Sequence, residues 1–337
     1  MRVSVVVPVR NNAACLADCL SALCASAGPG AEIIVVDDAS TDDTPAVAAR
    51  AGVGVLRLDR NAGAGAARNL GARHASGEVL LFVDSDVVVA PDTVERVVRV
   101  LAERPDVAAV FGSYDAAPRA AGLVSQYRNL LHHFVHQHGD AEASTFWAGC
   151  GAVRRTAFGA VGGFDEGPHW QSIEDIELGY RLRAAGHRIL LDREIQVTHL
   201  KRWTLASVVW TDVARRAVPW SRLLLERRPP LDHLNVKAEH RLSVALALLA
   251  AAVLPLALPH PRLLVVPLAA CLGVALLNRR LLAFFARARG LAFAAATIPL
   301  LLLHYLGSGL AYLYVWSGYT LAGVRRALHR SRQNPAV

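Results

Sequence analysis

Residues 79–92 read VLLFVDSDVVVAPD. Five consecutive apolar residues, rich in β-branched and aromatic types, predict a buried strand over Val79–Val83. That strand runs straight into Asp84-Ser85-Asp86. Carboxylates at i and i+2 of an extended chain share one side and can turn toward a single point beyond the sheet edge. Two carboxylates this close raise each other's pKa unless a cation lies between them. A hard Mg²⁺ or Mn²⁺, shared with substrate phosphate oxygens, answers that need. A three-letter acidic pattern also arises at ordinary strand ends, so the surroundings decide.

Outward from this stretch, similar apolar runs predict strands over Val3–Pro8, Glu32–Asp37, Val53–Leu58 and Val107–Phe111. Helical patterns fall at about 13–25, 43–51, 64–75 and 91–103. Apolar strands alternating with amphipathic helices predict an α/β fold with a mainly parallel sheet, helices on both faces and ligands outside the carboxyl ends of the strands. The residues just past those ends are therefore the ones to inspect: Arg10-Asn11, Asp37-Asp38, Asp59-Arg60-Asn61 and Asp84-Ser85-Asp86. Further on, a helix is expected over 121–137, another from Ile173, and two short strands at about 188–192 and 195–199.

The chain has 337 residues, 53% of them hydrophobic, with a mean hydropathy of +0.31 and a net charge of +8. Most of the apolar excess lies after residue 240. Residues 201–240 read as amphipathic interfacial helices, in which Trp203, Leu205, Val208, Val209 and Trp210 alternate with Arg215, Arg216, Arg222, Arg227 and Arg228. Residues 241–326 hold apolar stretches that predict three or four spans, and 327–337 form a basic polar tail. The basic charge borders apolar segments and is not interleaved with aromatics in a nucleic-acid pattern, so membrane lipids are the expected partner and nucleic acid is not. Five cysteines without a CxxC pair suit a reduced compartment. The apolar N-terminal run is too short for a secretory signal, which predicts a multi-pass protein of the cytoplasmic membrane with residues 1–200 on its cytoplasmic face.

Other residues could carry chemistry. Asp37 and Asp38 close a strand, where carboxylates can accept hydrogen bonds from a base or ribose. Ser40 to Asp43 is explained by helix capping alone. Gly63-Ala-Gly65-Ala-Ala-Arg68 begins like a dinucleotide fingerprint, but Arg68 replaces the third glycine and the segment follows the third strand. A helix start bearing Arg68, with Asn61 before it, could instead face a diphosphate. One of Glu174 and Asp175 could act as a general base, although acidic residues also favour helix starts for dipole reasons. His199 could be a third metal ligand. His132, His133, His136 and His138 crowd one helix without an HExxH pattern, which favours a surface or acceptor-facing role over zinc.

The ordered set VSVVVPVRNN, IIVVDDASTDDT, NAGAGAARNLGARHASGEVLLFVDSDV, VGGFDE, IEDIELGYRLRAAGHRI and VTH resembles the family 2 glycosyltransferases, which have the Rossmann-like GT-A fold. The resemblance covers about residues 3–200. It implies a catalytic domain over 1–200 that uses a nucleotide-sugar donor. Pro8, Val9, Arg10, Asp37 and Asp38 would line the nucleoside pocket, with Asn61, Arg68, Asp84 and Ser85 also on the donor side. Asp84, Asp86 and His199 would hold the metal, and Asp175, beside Glu174, would be the base. Gly163, Phe164, Asp165 and Trp203 would border an acceptor that is lipid-linked or membrane-associated. The family generally inverts the anomeric centre. Processive members carry QxxRW after the ED helix; here Arg202-Trp203 is present but His199 stands in place of Gln, which favours single transfer. A processive synthase, a nucleotidyltransferase and an inactive membrane scaffold are the competing readings.

Overall fold

In the computed structural model, which describes residues 1–227 and 237–333, every residue of β1 (Val3–Val9) is buried. The same holds for β4 (Val79–Val83), while β2 (Glu32–Asp37) is buried over its last four residues. Strands covered on both faces are what continuous Val/Ile/Leu runs require. Residues 228–236 and 334–337, which include Arg228 of the expected interfacial helices and the end of the basic tail, lie outside the described residues, as do the side chains of Arg325 and Arg326.

The described chain divides into two units, Met1–Thr204 and the chain from Leu205 onward. The first holds a nine-stranded sheet. Its elements are β3 (Gly54–Arg57), β5 (Val87–Val89), β6 (Val107–Tyr114), β7 (Glu142–Ala143), β8 (Cys150–Arg154) and β9 (Arg188–His199), besides β1, β2 and β4. The order is β3-β2-β1-β4-β8-β6-β9-β5, with β7 on β9. From β3 to β4 all pairs are parallel, as expected. Beyond β4 the sheet is mixed: β8 runs antiparallel to both β4 and β6, β9 is parallel to β6, and β5 is antiparallel to β9. The two strands expected over 188–199 are one, with a register shift opposite Phe111/Ser113.

Helices α1 (Ala13–Ala27), α2 (Thr44–Arg50), α3 (Ala64–His74), α4 (Thr93–Glu103) and α5 (Leu123–Gln137) fall close to their expected bounds. In α1 the buried Leu16, Cys19, Leu20 and Leu23 recur at helical spacing. In α3, Gly71 allows the helix to lie against β1, because a Cβ there would come 2.4 Å from Val6 Cγ1. Helices α6 (Arg155–Ala160) and α7 (Glu174–Ala184) complete this unit.

The second unit is helical: α8 (Leu205–Trp210), a π-helical stretch Thr211–Ala217, α9 (Val218–Arg227), α10 (Ala238–Ala257), α11 (Val265–Leu277), α12 (Arg279–Arg289) and α13 (Leu291–Gln333). Two helices, Ala238–Ala257 and Leu291–Leu321, are long and apolar enough to cross a membrane. Leu291–Leu321 runs as one continuous helix through Pro299 and Gly307–Gly309. Pro261–Leu277 and Arg279–Arg289 form a pair bent by 70°, which makes a third span if the pair is one. Leu254, Leu258, Leu268, Leu272, Leu310 and Trp316 are among the large apolar side chains left exposed here. Water is a poor solvent for such a surface and lipid a good one.

Candidate active site

β1, β2 and β4 are parallel, so their carboxyl ends emerge at one edge. A cleft of about 560 Å³ opens there, within the range of small-molecule sites. Its lining includes Pro8, Val9, Arg10 and Asn12 from the β1 loop, Asp38, Asp84, Ser85 and Asp86, and Leu200, Lys201 and Arg202 after β9. The β1 and β2 loops are laced together: Asn11 N–H donates to Ser40 Oγ at 2.9 Å, Thr41 N–H to Asn11 Oδ1 at 2.8 Å, and Asn12 N–H to Thr44 Oγ1 at 2.9 Å. Asn11 adopts φ 49°, a left-handed conformation that Asn tolerates better than most residues. Asn12 Nδ2 donates to Ser85 Oγ at 3.0 Å and joins this loop to the DSD turn.

The acidic pair after β2 is engaged by backbone. Asp37 Oδ1 accepts from Ser40 N–H at 3.0 Å, closing a local turn, and its Oδ2 lies 3.4 Å from Arg57 Nε. Asp38 accepts from Ala62 N–H at 2.7 Å and Gly63 N–H at 3.0 Å. The Asn61 amide, oriented by its neighbours, donates to Asp38 Oδ2 and accepts from Arg10, both at 2.7 Å. Gly63 then opens α3 at φ 91°, a conformation that suits glycine. Asp37 and Asn61 do not line the cleft; Asp38 and Arg10 do. The first two shape the pocket's walls from behind, since their polar atoms are spent on the loops.

Arg68 departs furthest from expectation. Its side chain is 5% exposed and does not line the cleft. Nη2 donates to Asp84 Oδ1 at 2.7 Å and Nη1 to Glu174 Oε1 at 2.8 Å. A buried guanidinium needs counter-charges, and two carboxylates supply them. Glu174 Oε1 is accordingly a buried counter-charge to Arg68. Burial works against the charge on Arg68, but Asp84, Glu174 and Asp175 raise its pKa further still. Asp175, the neighbour of Glu174, accepts from Ala148 N–H at 3.2 Å and Ile176 N–H at 2.8 Å. It is tied to the DSD turn through Ala148-Gly149, just before β8, because Asp84 N–H donates to Gly149 O at 3.1 Å.

His199 reaches the DSD turn by strand pairing. Val87 of β5 pairs with His199 of β9, and Leu200 N–H donates to Asp86 O at 2.8 Å. His199 Nε2 therefore stands 3.3 Å from Asp86 Oδ2. Its other nitrogen, Nδ1, faces Asn129 Oδ1 at 2.6 Å. Burial lifts the carboxyl of Asp84 above the usual range, against the pull of Arg68 and with added lift from Asp86. For Asp86 burial also pushes upward, but the imidazole of His199 and the charge of Lys201 outweigh it and hold the carboxyl low.

Residues 4–162 match the family described as Glycosyl transferase family 2. Over those residues the chain is similar to that family. A pre-mycofactocin glycosyltransferase of Mycobacterium tuberculosis H37Rv is 33% identical over 232 residues, covering 64% of this chain and 45% of its own. A validoxylamine A glucosyltransferase of Streptomyces hygroscopicus subsp. jinggangensis is 32% identical over 228 residues, covering 57% and 53%. The chain thus spans about half the length of these relatives. A mannosyltransferase from Pyrobaculum calidifontis, solved with GDP-Man and Mn²⁺, superposes with a TM-score of 0.60 at 21% identity, over 93% of this chain and 87% of that one. The fold is GT-A.

Within this unit the expected metal set is only partly assembled. Among the described residues no three His, Cys, Asp or Glu side chains converge on a common point. Asp86 and His199 face each other, whereas Asp84 turns one oxygen to Arg68, its nearest counter-charge. The pair nonetheless fits a cation. With Nδ1–H given to Asn129, a bare Nε2 lone pair beside a carboxylate would be repelled, so that contact needs a positive centre between or upon the two groups. Asp84 engages only Oδ1 and keeps 34% of its side chain exposed at the same cleft.

On the expected acceptor side, Phe164 is a core residue: it is buried and lies edge-on to Phe82 at 5.0 Å. Its apolar ring finds more surface inside the sheet than in a sugar site. Gly163 O accepts from Arg181 Nη2 at 2.7 Å and Asp165 Oδ1 from Gly167 N–H at 2.7 Å, so both set the loop's shape. Trp203 is held by its N–H to Ser125 Oγ at 2.8 Å, with Lys201 Nζ 4.1 Å and the Arg128 guanidinium 5.9 Å from its ring. The α5 histidines pack inward: His133 Nδ1 meets Tyr114 O at 2.6 Å, His136 Nδ1 meets Gly112 O at 3.0 Å, and His132 lies 5.0 Å from the Trp147 ring. Lys201, Asn12 and Asn129 were missed. Only Lys201 left a signal, as a second cation directly after a strand end.

Proposed function

We propose that the protein transfers a sugar from a nucleotide-diphosphate sugar to a lipid-linked or membrane-associated acceptor, with Mg²⁺ or Mn²⁺ and inversion at the anomeric carbon. One observation carries this reading. A single cleft gathers Asp38, Asp84 and Asp86 with Arg10, Lys201 and Arg202, and Asp86 meets His199 at its border. A diphosphate needs cations, a metal needs carboxylates, and a nucleoside offers O–H and N–H donors to an acceptor such as Asp38. The pyrophosphates in the Pyrobaculum complex and the family's activity agree with that composition.

Asp84, Asp86 and His199 would hold the metal, which when bound supplies positive charge to the departing diphosphate. Arg68 keeps Asp84 in place from behind, and Lys201 and Arg202 meet phosphate charge from the open side. Asp175 takes the proton of an acceptor hydroxyl; its two backbone bonds orient the carboxylate for that task. The apolar helices from Ala238 anchor the chain in the cytoplasmic membrane, with the glycosyltransferase domain on the cytoplasmic face, where nucleotide sugars are made. His199 in place of the Gln of the processive motif favours one transfer per encounter.

The test is a panel of radiolabelled nucleotide sugars with Mn²⁺ and membrane lipid extract. Label entering the organic phase, and lost on chelation, is expected. Label that stays in the aqueous phase with every donor removes the lipid-acceptor reading. Transfer undiminished by EDTA removes the metal.

A further inference from the structure

Asn129 lies in the middle of α5, is 1% exposed, and sits 70 residues from His199 in sequence. Its Oδ1 is 2.6 Å from His199 Nδ1. A carbonyl oxygen can only accept, so the imidazole proton is on Nδ1. We propose that Asn129 is a positioning residue for the metal site, fixing His199 in the one tautomer whose Nε2 lone pair is offered to a divalent cation beside Asp86.

The need for such a device follows from the neighbours. A neutral imidazole next to a carboxylate prefers to place its proton on the nitrogen facing that carboxylate, where it makes a charge-assisted bond. Beside Asp86, that choice would put the proton on Nε2, the atom a cation requires. An acceptor on the far side of the ring reverses the preference. Asn129 is that acceptor, and the ring cannot swing away from it. Tyr114 stacks on His199 with centroids 4.4 Å apart and planes within 10°, and β5 pairing holds the backbone at His199. Asn129 Nδ2 has no partner among the described residues, so the amide is placed here for its oxygen. A carboxylate at 129 would keep the function and an isosteric hydrocarbon would abolish it.

This inference rests on the metal-dependent reading above, and the experiment separates the two. The full chain in nanodiscs is loaded with Mn²⁺ and either UDP or GDP. Manganese affinity is read by EPR titration, and nitrogen ligation by the ¹⁴N modulation of the pulsed EPR signal. The parent protein is expected to show imidazole ¹⁴N modulation that His199→Ala abolishes. Asn129→Leu is expected to weaken Mn²⁺ binding by about 10- to 100-fold and to diminish the modulation. Asn129→Asp is expected to keep both. Parent-like affinity and modulation in Asn129→Leu overturn the assignment to Asn129 and leave the metal reading standing. Should the Leu variant not fold, Asn129→Asp decides by itself, since loss of modulation in a folded Asp variant overturns the proposal. No ¹⁴N modulation in the parent, with manganese bound, overturns His199 as a ligand and this proposal with it. No manganese binding at all overturns the metal reading.

Discussion

Two acidic pairs leave two parallel strands at the same edge of the sheet, and they meet different fates. Asp37 and Asp38, after β2, spend their oxygens mainly on backbone N–H groups of Ser40, Ala62 and Gly63. Asp84 and Asp86, after β4, have side-chain partners, Arg68 and His199, and keep 34% and 25% of their side chains exposed. Backbone donors cannot leave without unfolding a loop, so the first pair holds the wall in place. Asp38, which also lines the cleft, meets a nucleoside only through its remaining lone pairs. Side-chain partners can be exchanged for a ligand, so the second pair can do chemistry. Local sequence is nearly the same in the two places; what differs is which segment lies opposite.

The comparison breaks most visibly at Asp86. Asp86→Ala is expected to lower transfer by about 100- to 1,000-fold while the melting temperature hardly moves. A large drop in melting temperature would place Asp86 with the wall instead. Next comes the ED pair. Glu174→Gln leaves buried Arg68 with one partner and should cost about 3 kcal/mol of stability by denaturant titration. Asp175→Asn should spare stability and lower kcat; if the two substitutions give the same profile, their roles are not divided. Asp38→Ala strands two N–H groups and should cost about 1–3 kcal/mol, with Asp38→Asn recovering part of it through its remaining oxygen.

A smaller effect is in pH. Burial raises Asp84, so the folded state holds this proton to higher pH than the unfolded chain does. Its contribution to stability is greatest at low pH and is lost as pH rises through the raised value. As pH falls, Asp84 should protonate before Asp86, which is held low. The acid limb of UDP binding with Mn²⁺ is therefore expected above the ordinary aspartate value of about 4, and Arg68→Gln should move it higher. An unmoved limb would show that Arg68 does not govern Asp84. The smallest effect concerns thiols. Burial, with Asp84 adding to it, pushes Cys150 up to about 12, whereas Cys24 is exposed. Iodoacetamide near neutral pH should label Cys24 first and leave Cys150 intact in the folded protein.

The half of the sheet from β3 to β4 was legible because β1, β2 and β4 are continuous apolar runs of useful length bounded by polar residues. The other half was not. β5 is three residues, β7 is two, and β8 contains Gly151 within what reads as a glycine-rich loop. Such segments are strands because of the neighbours they pair with, and no local period announces that. The long apolar helices after residue 240 were legible from composition, while the choice between one and two helices across Pro299 was not.

Sequence alone determined the parallel core, the acidic ends of its strands and the family that residues 4–162 resemble. Apolar runs and turn residues act over a few positions, and their physics is local. Only the tertiary structure decided that Glu174 neutralises Arg68 across 106 residues and that Asn129 meets His199 across 70. The meeting of His199 with Asp86 across 113 was implied by the family resemblance and not by spacing. Those pairings depend on β8 and β9 threading back beside β4 and β5. A charge's partner is set by where the chain returns, which spacing along it does not encode.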